Sequence, residues 1–347
     1  MTPRILYLSF NDGSDMRVNK ELHTLGRAAR VSLVAVGPSL SQHYAADSVH
    51  TLHFVTGNRR SAGTLLRYFF TCARLLLTRR YDSVHIINEP QLLALWPLFW
   101  FQKRVVLDLF DSIFLRKNRP GNRSQWLKRL VYAPVDCTIV TDQNRLGLLP
   151  DFLKKQALVV PNYPDELPDP PRKVRSAHLT LMYFGWLGEL RGTETARELL
   201  AADPDLHLLM AGWLADGTSR ALAQHPRVTW LGVLSQDEAM RIAAEQADYI
   251  LCVYAPTNDN NINASPNKIY DAIQTDTPVI INAEVKVSDF VRVNKIGYVL
   301  DQYRPADYIS LGEALWAQRE SYQFDVSLRK QYTWKNAEPT LLTAHGL

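Results

Sequence analysis

Short apolar runs alternate with amphipathic stretches along almost all of this 347-residue chain. The alternation stops once, at Pro161-Asn-Tyr-Pro-Asp-Glu-Leu-Pro-Asp-Pro-Pro-Arg-Lys-Val-Arg-Ser176. Before that segment, Arg4–Phe10, Val31–Val36, Ser83–Ile87, Arg104–Leu109, Cys137–Val140 and Leu158–Val160 read as strands. Helices are predicted between them over Met16–Arg30, Ala62–Thr78, Gln91–Phe101 and Ser124–Tyr132. Apolar strands separated by helices are the rhythm of a parallel sheet covered on both faces. Five prolines with interspersed charges read as a linker. The rhythm then restarts, with strands at Thr180–Phe184, Leu206–Ala211, Val228–Leu231, Tyr249–Val253, Pro278–Asn282 and Tyr298–Leu300. Helices are predicted there over Gly192–Ala202, Gln236–Gln246 and Ile309–Glu320. The expected fold is α/β, with two tandem doubly wound, Rossmann-like domains facing a cleft at the carboxyl ends of their strands, where such sheets bind ligands. The expected divisions are 1–165, a linker over 166–177, 178–320, and a segment 321–347 packing back toward the first domain.

Charge separates the same two halves. Residues 1–165 hold 22 Lys+Arg against 12 Asp+Glu, and residues 166–347 hold 17 against 23. A basic half beside an acidic one points to an anionic partner for the first. Cys72, Cys137 and Cys252 are odd in number and far apart, in no metal spacing, which suits a reducing cytoplasm. Met1-Thr-Pro-Arg-Ile-Leu-Tyr-Leu-Ser9 runs straight into a strand, so no signal peptide is expected. No uncharged apolar run is long enough to span a bilayer.

The chemistry concentrates in Asn263-Ala-Ser-Pro-Asn-Lys-Ile-Tyr-Asp271-Ala-Ile-Gln-Thr-Asp-Thr-Pro278-Val-Ile-Ile-Asn282. Ser265 and Pro266 read as a helix start, with Ser265 as the cap. Asn267, Lys268 and Asp271 then fall on the first turn and a half, with Lys268 and Asp271 sharing a face. A helix N-terminus with a lysine suits a diphosphate, and a carboxylate one turn on suits ribose hydroxyls. An ordinary capped helix with solvated Lys268 and Asp271 would present the same local pattern. Gly185-Trp-Leu-Gly188-Glu-Leu-Arg191-Gly192 follows a strand, and Arg191 there is placed to stabilise a leaving diphosphate. An exposed arginine in a strand–helix turn is the plainer alternative. Other signatures are missing: no Gly-x-Gly-x-x-Gly follows the first strand, where Gly13 stands alone, and there is no Walker A, His-Glu-x-x-His or Gly-x-Ser-x-Gly. Asp203-Pro-Asp205 matches a metal-binding string but sits between a helix and a strand, where it reads as a turn.

In order along the chain, these segments resemble GT-B-fold glycosyltransferases, in particular the large retaining group of bacterial mannosyl- and N-acetylglucosaminyltransferases. The resemblance is carried by Val159-Val-Pro-Asn162, Tyr183-Phe-Gly185 through Arg191-Gly192, Val228-Thr-Trp-Leu-Gly232, Ala247-Asp-Tyr-Ile-Leu-Cys-Val253, Asn263 to Ile280, and Tyr332-Thr-Trp334. In the first half Asp15 to Leu25 and Val84-His-Ile-Ile-Asn88-Glu89-Pro90 match as well. Three positions depart from the group's pattern: Trp186 replaces an arginine, Asn263 the first of two paired carboxylates, and Asn88 a histidine.

The resemblance implies a transferase moving sugar from a nucleotide-diphosphate sugar to a glycan or lipid-diphosphate-linked acceptor, with retention, in bacterial surface polysaccharide synthesis. It implies Arg191 and Lys268 as catalytic cations and Gly13, Gly185, Asn263, Ser265, Asn267 and Asp271 as donor-binding residues. Asn88, Glu89, Asp108 and Asp111, at strand ends, are expected on the acceptor or sugar side. No metal or other cofactor and no nucleic acid is expected. Basic and aromatic residues interleave over Leu65–Arg80 and Trp96–Arg104, which suits an anionic membrane surface and equally a core helix with a solvated basic face. The location implied is cytoplasmic, at the inner face of the membrane. A sugar-nucleotide 2-epimerase shares the double architecture, and a non-catalytic nucleotide-binding scaffold would carry such departures.

Overall fold

The computed structural model describes residues 2–42, 44–110, 112, 122–167, 170, 171, 173, 174 and 176–347, without the side chains of 122–125. The chain forms two compact units, Met1–Asn162 with Ala337–Leu347, and Tyr163–Asn336. Residues 337–347 therefore belong to the first unit, while 321–336 belong to the second.

The first unit is built on β1 (Arg4–Leu8), β2 (Arg30–Gly37), β3 (Thr51–Thr56), β4 (Ser83–Ile87), β5 (Val105–Asp108), β6 (Cys137–Val140) and β7 (Ala157–Val159). They form one parallel sheet in the order β3-β2-β1-β4-β5-β6-β7. The central strands are apolar throughout because helices cover both faces. Asp15 starts the helix Met16–Ala28 by accepting from the backbone N–H groups of Arg17 at 2.9 Å and Val18 at 3.2 Å. Such a cap contributes about 1 kcal/mol.

The second unit carries β8 (Thr180–Leu187), β9 (His207–Leu214), β10 (Val228–Trp230), β11 (Tyr249–Leu251), β12 (Val279–Asn282) and β13 (Gly297–Leu300), parallel in the order β10-β9-β8-β11-β12-β13. Successive residues of β8 serve opposite cores. Met182 and Phe184 pack with Ile269 and Ile273, whereas Leu181, Tyr183 and Leu187 pack with Leu199 and Leu251. In each sheet the winding reverses beside the first strand of the unit, between β1 and β4 and between β8 and β11. Ligands of open parallel sheets sit outside the strand ends at that reversal.

Several elements differ from the sequence expectation. The apolar stretch Gln91–Phe101 is two helices, Asn88–Ala94 and Trp96–Phe99, because Pro97 cannot continue the first. The edge strand β3 and the short helices Gly217–Leu222, Asp259–Ile262 and Ser288–Val293 are additional. Asp203-Pro-Asp205 is a turn: Asp203 accepts from the Asp205 N–H at 2.8 Å and from Trp316 Nε1 at 3.2 Å.

Candidate functional site

At the winding reversal of the second unit, two cations come together. Lys268 lies in the first turn of the helix Asn267–Thr275, and its Nζ reaches the end of β8, 5.6 Å from the Tyr183 ring centre and 5.8 Å from that of Phe184. Only 9% of Lys268 is exposed. Burial lowers its ammonium from the ordinary lysine value, and the neighbouring Arg191 adds to the fall. Arg191 ends the short turn Glu189–Arg191 and stacks its guanidinium 4.3 Å from the Tyr254 ring centre, just beyond β11. Among the described residues neither cation has a carboxylate within ion-pairing distance. Two like charges held together, one of them desolvated, are costly unless an anion sits between them.

The loop that carries Arg191 is fixed from below. The Tyr183 hydroxyl accepts from the Gly188 N–H at 3.0 Å and bonds Thr193 Oγ1 at 3.1 Å, and Asp216 Oδ2 accepts from the Glu189 N–H at 2.7 Å. Gly185 and Gly192 have φ of +95° and +108°, a region that favours glycine. A Cβ on Gly185 would meet nothing within 4 Å, so the strand end is bare toward solvent.

Asp271 lies one turn beyond Lys268, almost fully buried, with Oδ1 accepting from Gln236 Nε2 at 2.7 Å. The solvated-face alternative for Lys268 and Asp271 thus does not describe this helix. Ser265 does not cap it. The cap position is Pro266, whose extended backbone turns the Ser265 side chain aside to Tyr270, Oγ to hydroxyl 3.1 Å. No side chain caps the first turn, which leaves the N–H ends of Asn267 and Lys268 without that shield. Asn263 is buried and donates from Nδ2 to the Asp259 carbonyl at 2.9 Å.

In the first unit, Gly13 has φ of +86° and its N–H donates to Asn11 Oδ1 at 2.8 Å, so the turn after β1 is closed by its own asparagine. Three of the residues expected to hold acceptor hydroxyls have partners inside this unit. Asn88, at φ +59°, accepts through Oδ1 from the Phe110 N–H at 2.9 Å. Glu89 is fully buried and accepts from Ser112 Oγ and from the Tyr132 hydroxyl at 2.8 Å. Asp108 is fully buried against Arg17, Nη2 to Oδ2 2.8 Å. Asp111 lies outside the described residues. The helix–strand contacts that bury these carboxylates span up to 91 positions, as between Arg17 and Asp108, and are invisible to local pattern.

Glu21, His85 and Asp108 approach closely enough to resemble a metal ligand set. The Arg17 guanidinium already occupies the cationic position, with Nε 2.9 Å from Glu21 Oε1. The Tyr7 hydroxyl donates to Glu21 Oε2 at 2.5 Å, and His85 Nδ1 meets His345 Nε2 at 3.1 Å. Burial, with Asp108 adding to it, pushes the Glu21 carboxyl well above the usual carboxylate range. Burial holds His85 well below the usual histidine value and His345 at about 3. The cluster is a closed polar core with its own cation.

No protein-family model and no curated protein matches the chain. Solved structures do. A sucrose-phosphate synthase from Thermosynechococcus elongatus is 15% identical, with 99% of this chain and 95% of that one covered at a TM-score of 0.67. Anabaena HepE, in complex with UDP-glucose, is 14% identical over 99% and 97% of the chains at 0.64. A candidate UDP-N-acetylglucosamine 2-epimerase from Listeria monocytogenes is 13% identical over 99% and 96% at 0.60. The likeness extends over nearly the whole of each chain and shows the fold: two Rossmann-like α/β units in tandem, the GT-B architecture of glycosyltransferases.

Proposed function

We propose that this protein is a nucleotide-sugar-dependent glycosyltransferase that binds its donor on the second unit. The observation that carries the reading is the pair Lys268 and Arg191 at the winding reversal, both without a carboxylate partner among the described residues. A diphosphate supplies the missing negative charge, helped by the uncapped first turn at Asn267 and the bare strand end at Gly185. Asp271 binds ribose hydroxyls, and Asn263 and Ser265 line the approach. The solved relative that holds UDP-glucose supports this donor class.

In the transfer, the acceptor hydroxyl oxygen bonds to the anomeric carbon as the bond from that carbon to the diphosphate oxygen breaks. The hydroxyl proton passes to a departing phosphate oxygen, with retention of configuration and no protein nucleophile. The chain's part is electrostatic: Lys268 and Arg191 stabilise charge that grows on the leaving diphosphate, where one such donor is worth about 10²–10³ in rate. No metal ion is required in this scheme.

For the acceptor we propose a glycan built on a lipid diphosphate. The helix Ala62–Thr78 buries Tyr68, Cys72 and Leu75, while its other side exposes Leu66, Phe70 and Leu77 beside Arg67 and Arg74. Exposed apolar side chains among arginines suit an anionic bilayer. Among the described residues no helix is long and apolar enough to cross a membrane. Saturation-transfer NMR with UDP-, GDP-, dTDP- and ADP-sugars tests the donor, and Lys268→Ala and Arg191→Ala are expected to abolish turnover while keeping the fold. Full turnover in both variants would sink the assignment. The epimerase-like neighbour motivates one rival; sugar inversion without any acceptor would establish it.

A further inference from the structure

Two exposed indoles stand beside this site. β8 and β9 run in register as Gly185↔Gly212, Trp186↔Trp213 and Leu187↔Leu214. Each strand thus ends in Gly-Trp-Leu, and both glycines have positive φ, +95° and +129°. Leu187 and Leu214 pack into the same core as Tyr183 and Met210. The tryptophans between them therefore point to the opposite face, which Phe184 and Ala211 share with Ile269 of the lysine-bearing helix. Partners in adjacent strands are about 4.8 Å apart at the backbone, so both tryptophans leave neighbouring strand ends on one face. Trp186 is 61% exposed and Trp213 39%. Among the described residues, neither indole has a hydrogen-bond partner or an aromatic neighbour.

The glycines make this arrangement possible. A Cβ at Gly212 would lie 2.0 Å from the Gly185 carbonyl oxygen, so only glycine lets the strands close there. Phe184, against which Lys268 Nζ lies, is two residues before Trp186 on the same face, about 6.6 Å along the strand. Gln236, the partner of Asp271, opens the helix after β10, whose Ala239 and Ala243 pack on that face as well. Phosphate, ribose and ring positions thus follow one another across a single surface of the second unit.

We propose that Trp186 and Trp213 form the platform on which the base of the bound nucleoside diphosphate stacks. This rests on the donor reading above and assigns the part of the donor that reading left open. A planar heteroaromatic ring complements exposed indoles carried on neighbouring strand ends, and stacking of this kind is tolerant of base identity because every base has a π face.

The test is calorimetric titration of UDP, GDP and pyrophosphate into wild-type protein and into Trp186→Ala, Trp213→Ala and Trp186→Phe. Both alanine variants are expected to weaken UDP and GDP about tenfold or more. They should leave pyrophosphate unchanged, and Trp186→Phe should retain most of the affinity. Undiminished nucleotide binding in the alanine variants overturns the platform and leaves the donor site standing. Equal loss of nucleotide and pyrophosphate also overturns it, since the indoles would then act on the phosphate site. Wild-type protein that binds neither removes the donor reading, and the platform with it. A change in oligomeric state in the alanine variants, seen by sedimentation, with nucleotide affinity intact, assigns the indoles to a contact between copies instead.

Discussion

Replacing Lys268 by methionine should move stability and ligand binding in opposite directions. The ammonium is nine-tenths buried, has no carboxylate partner and has Arg191 as a neighbour. Replacing buried charge by an apolar side chain of similar volume is commonly stabilising, by about 1–4 kcal/mol. The loss of attraction to Asp271 offsets part of this, so we expect a gain near the lower end, about 1 kcal/mol. For a unit of this size that raises Tm by about 2–4 °C. In the proposed donor site the same change removes a charge-assisted contact to phosphate, worth about 1.5–3 kcal/mol, or roughly 10- to 100-fold in Kd. Wild-type protein with UDP at a hundred times Kd gains about 2.7 kcal/mol from ligand, whereas the variant at the same concentration gains about 0.4–1.4 kcal/mol, so its melting temperature climbs half as much or less. pH supplies an independent check. Because the lysine value is lowered in the folded protein, raising pH through that value discharges the ammonium, and diphosphate affinity should fall at lower pH than it would for an exposed lysine. Differential scanning calorimetry with and without UDP, from neutral to alkaline pH, reads all three effects. A methionine variant that melts lower than wild type and binds UDP as tightly would refute the reasoning.

Three other perturbations probe the framework. Gly212→Ala places a Cβ against the Gly185 carbonyl at a φ of +129°; we expect a loss of about 1–3 kcal/mol, measurable by urea unfolding, and an unchanged midpoint would contradict it. Arg17→Met strands Asp108 in the core without its cation and should cost about 3–5 kcal/mol, with Glu21→Gln in the same background restoring little. The histidine that docks the helix Glu338–His345 titrates at about 3 in the folded protein, against 6.5 when unfolded. The unfolded chain therefore binds the extra proton between those values, so stability is full above pH 6.5 and declines by about 1.4 kcal/mol per unit below it. Hydrogen exchange in residues 338–345 should accelerate over that window, and His345→Phe should shrink the response, with His85, also held low by burial, supplying what remains.

The alternation of apolar runs and helices was enough to place most strands of both sheets, because fully covered parallel strands are written as continuous apolar segments. β3 escaped because Thr51-Leu-His-Phe-Val-Thr56 is a half-exposed edge with a polar residue at every second or third place. Lys268, Asp271 and Arg191 could be singled out from local spacing, since a loop, a turn and a first helical turn are short-range features. The burial of Lys268 could not, because it depends on rings of β8 about 85 residues upstream. Ser265 misled for a local reason: Pro266 took the cap position. The burial of Asp108 and Glu89 was hidden for a nonlocal one, since strand ends look open until Arg17, Ser112 and Tyr132 are seen to close on them. Trp186 stood out as a departure from the family pattern, but its partner Trp213 emerges only from strand register.

The first unit is discontinuous in the chain. Its seven strands are complete by Val159, yet residues 337–347 belong to it, with Thr24, Ser83 and Arg104 each bonded to that last segment. During synthesis, at about 5–20 residues per second, roughly 10–35 s separate those two parts. For that interval the nascent sheet has His85 facing water where His345 later stacks. The second unit has no such wait, since all of its residues emerge consecutively. It is therefore free to finish first, although it begins later, and the ribosome delivers the second unit whole before the unit that starts the chain.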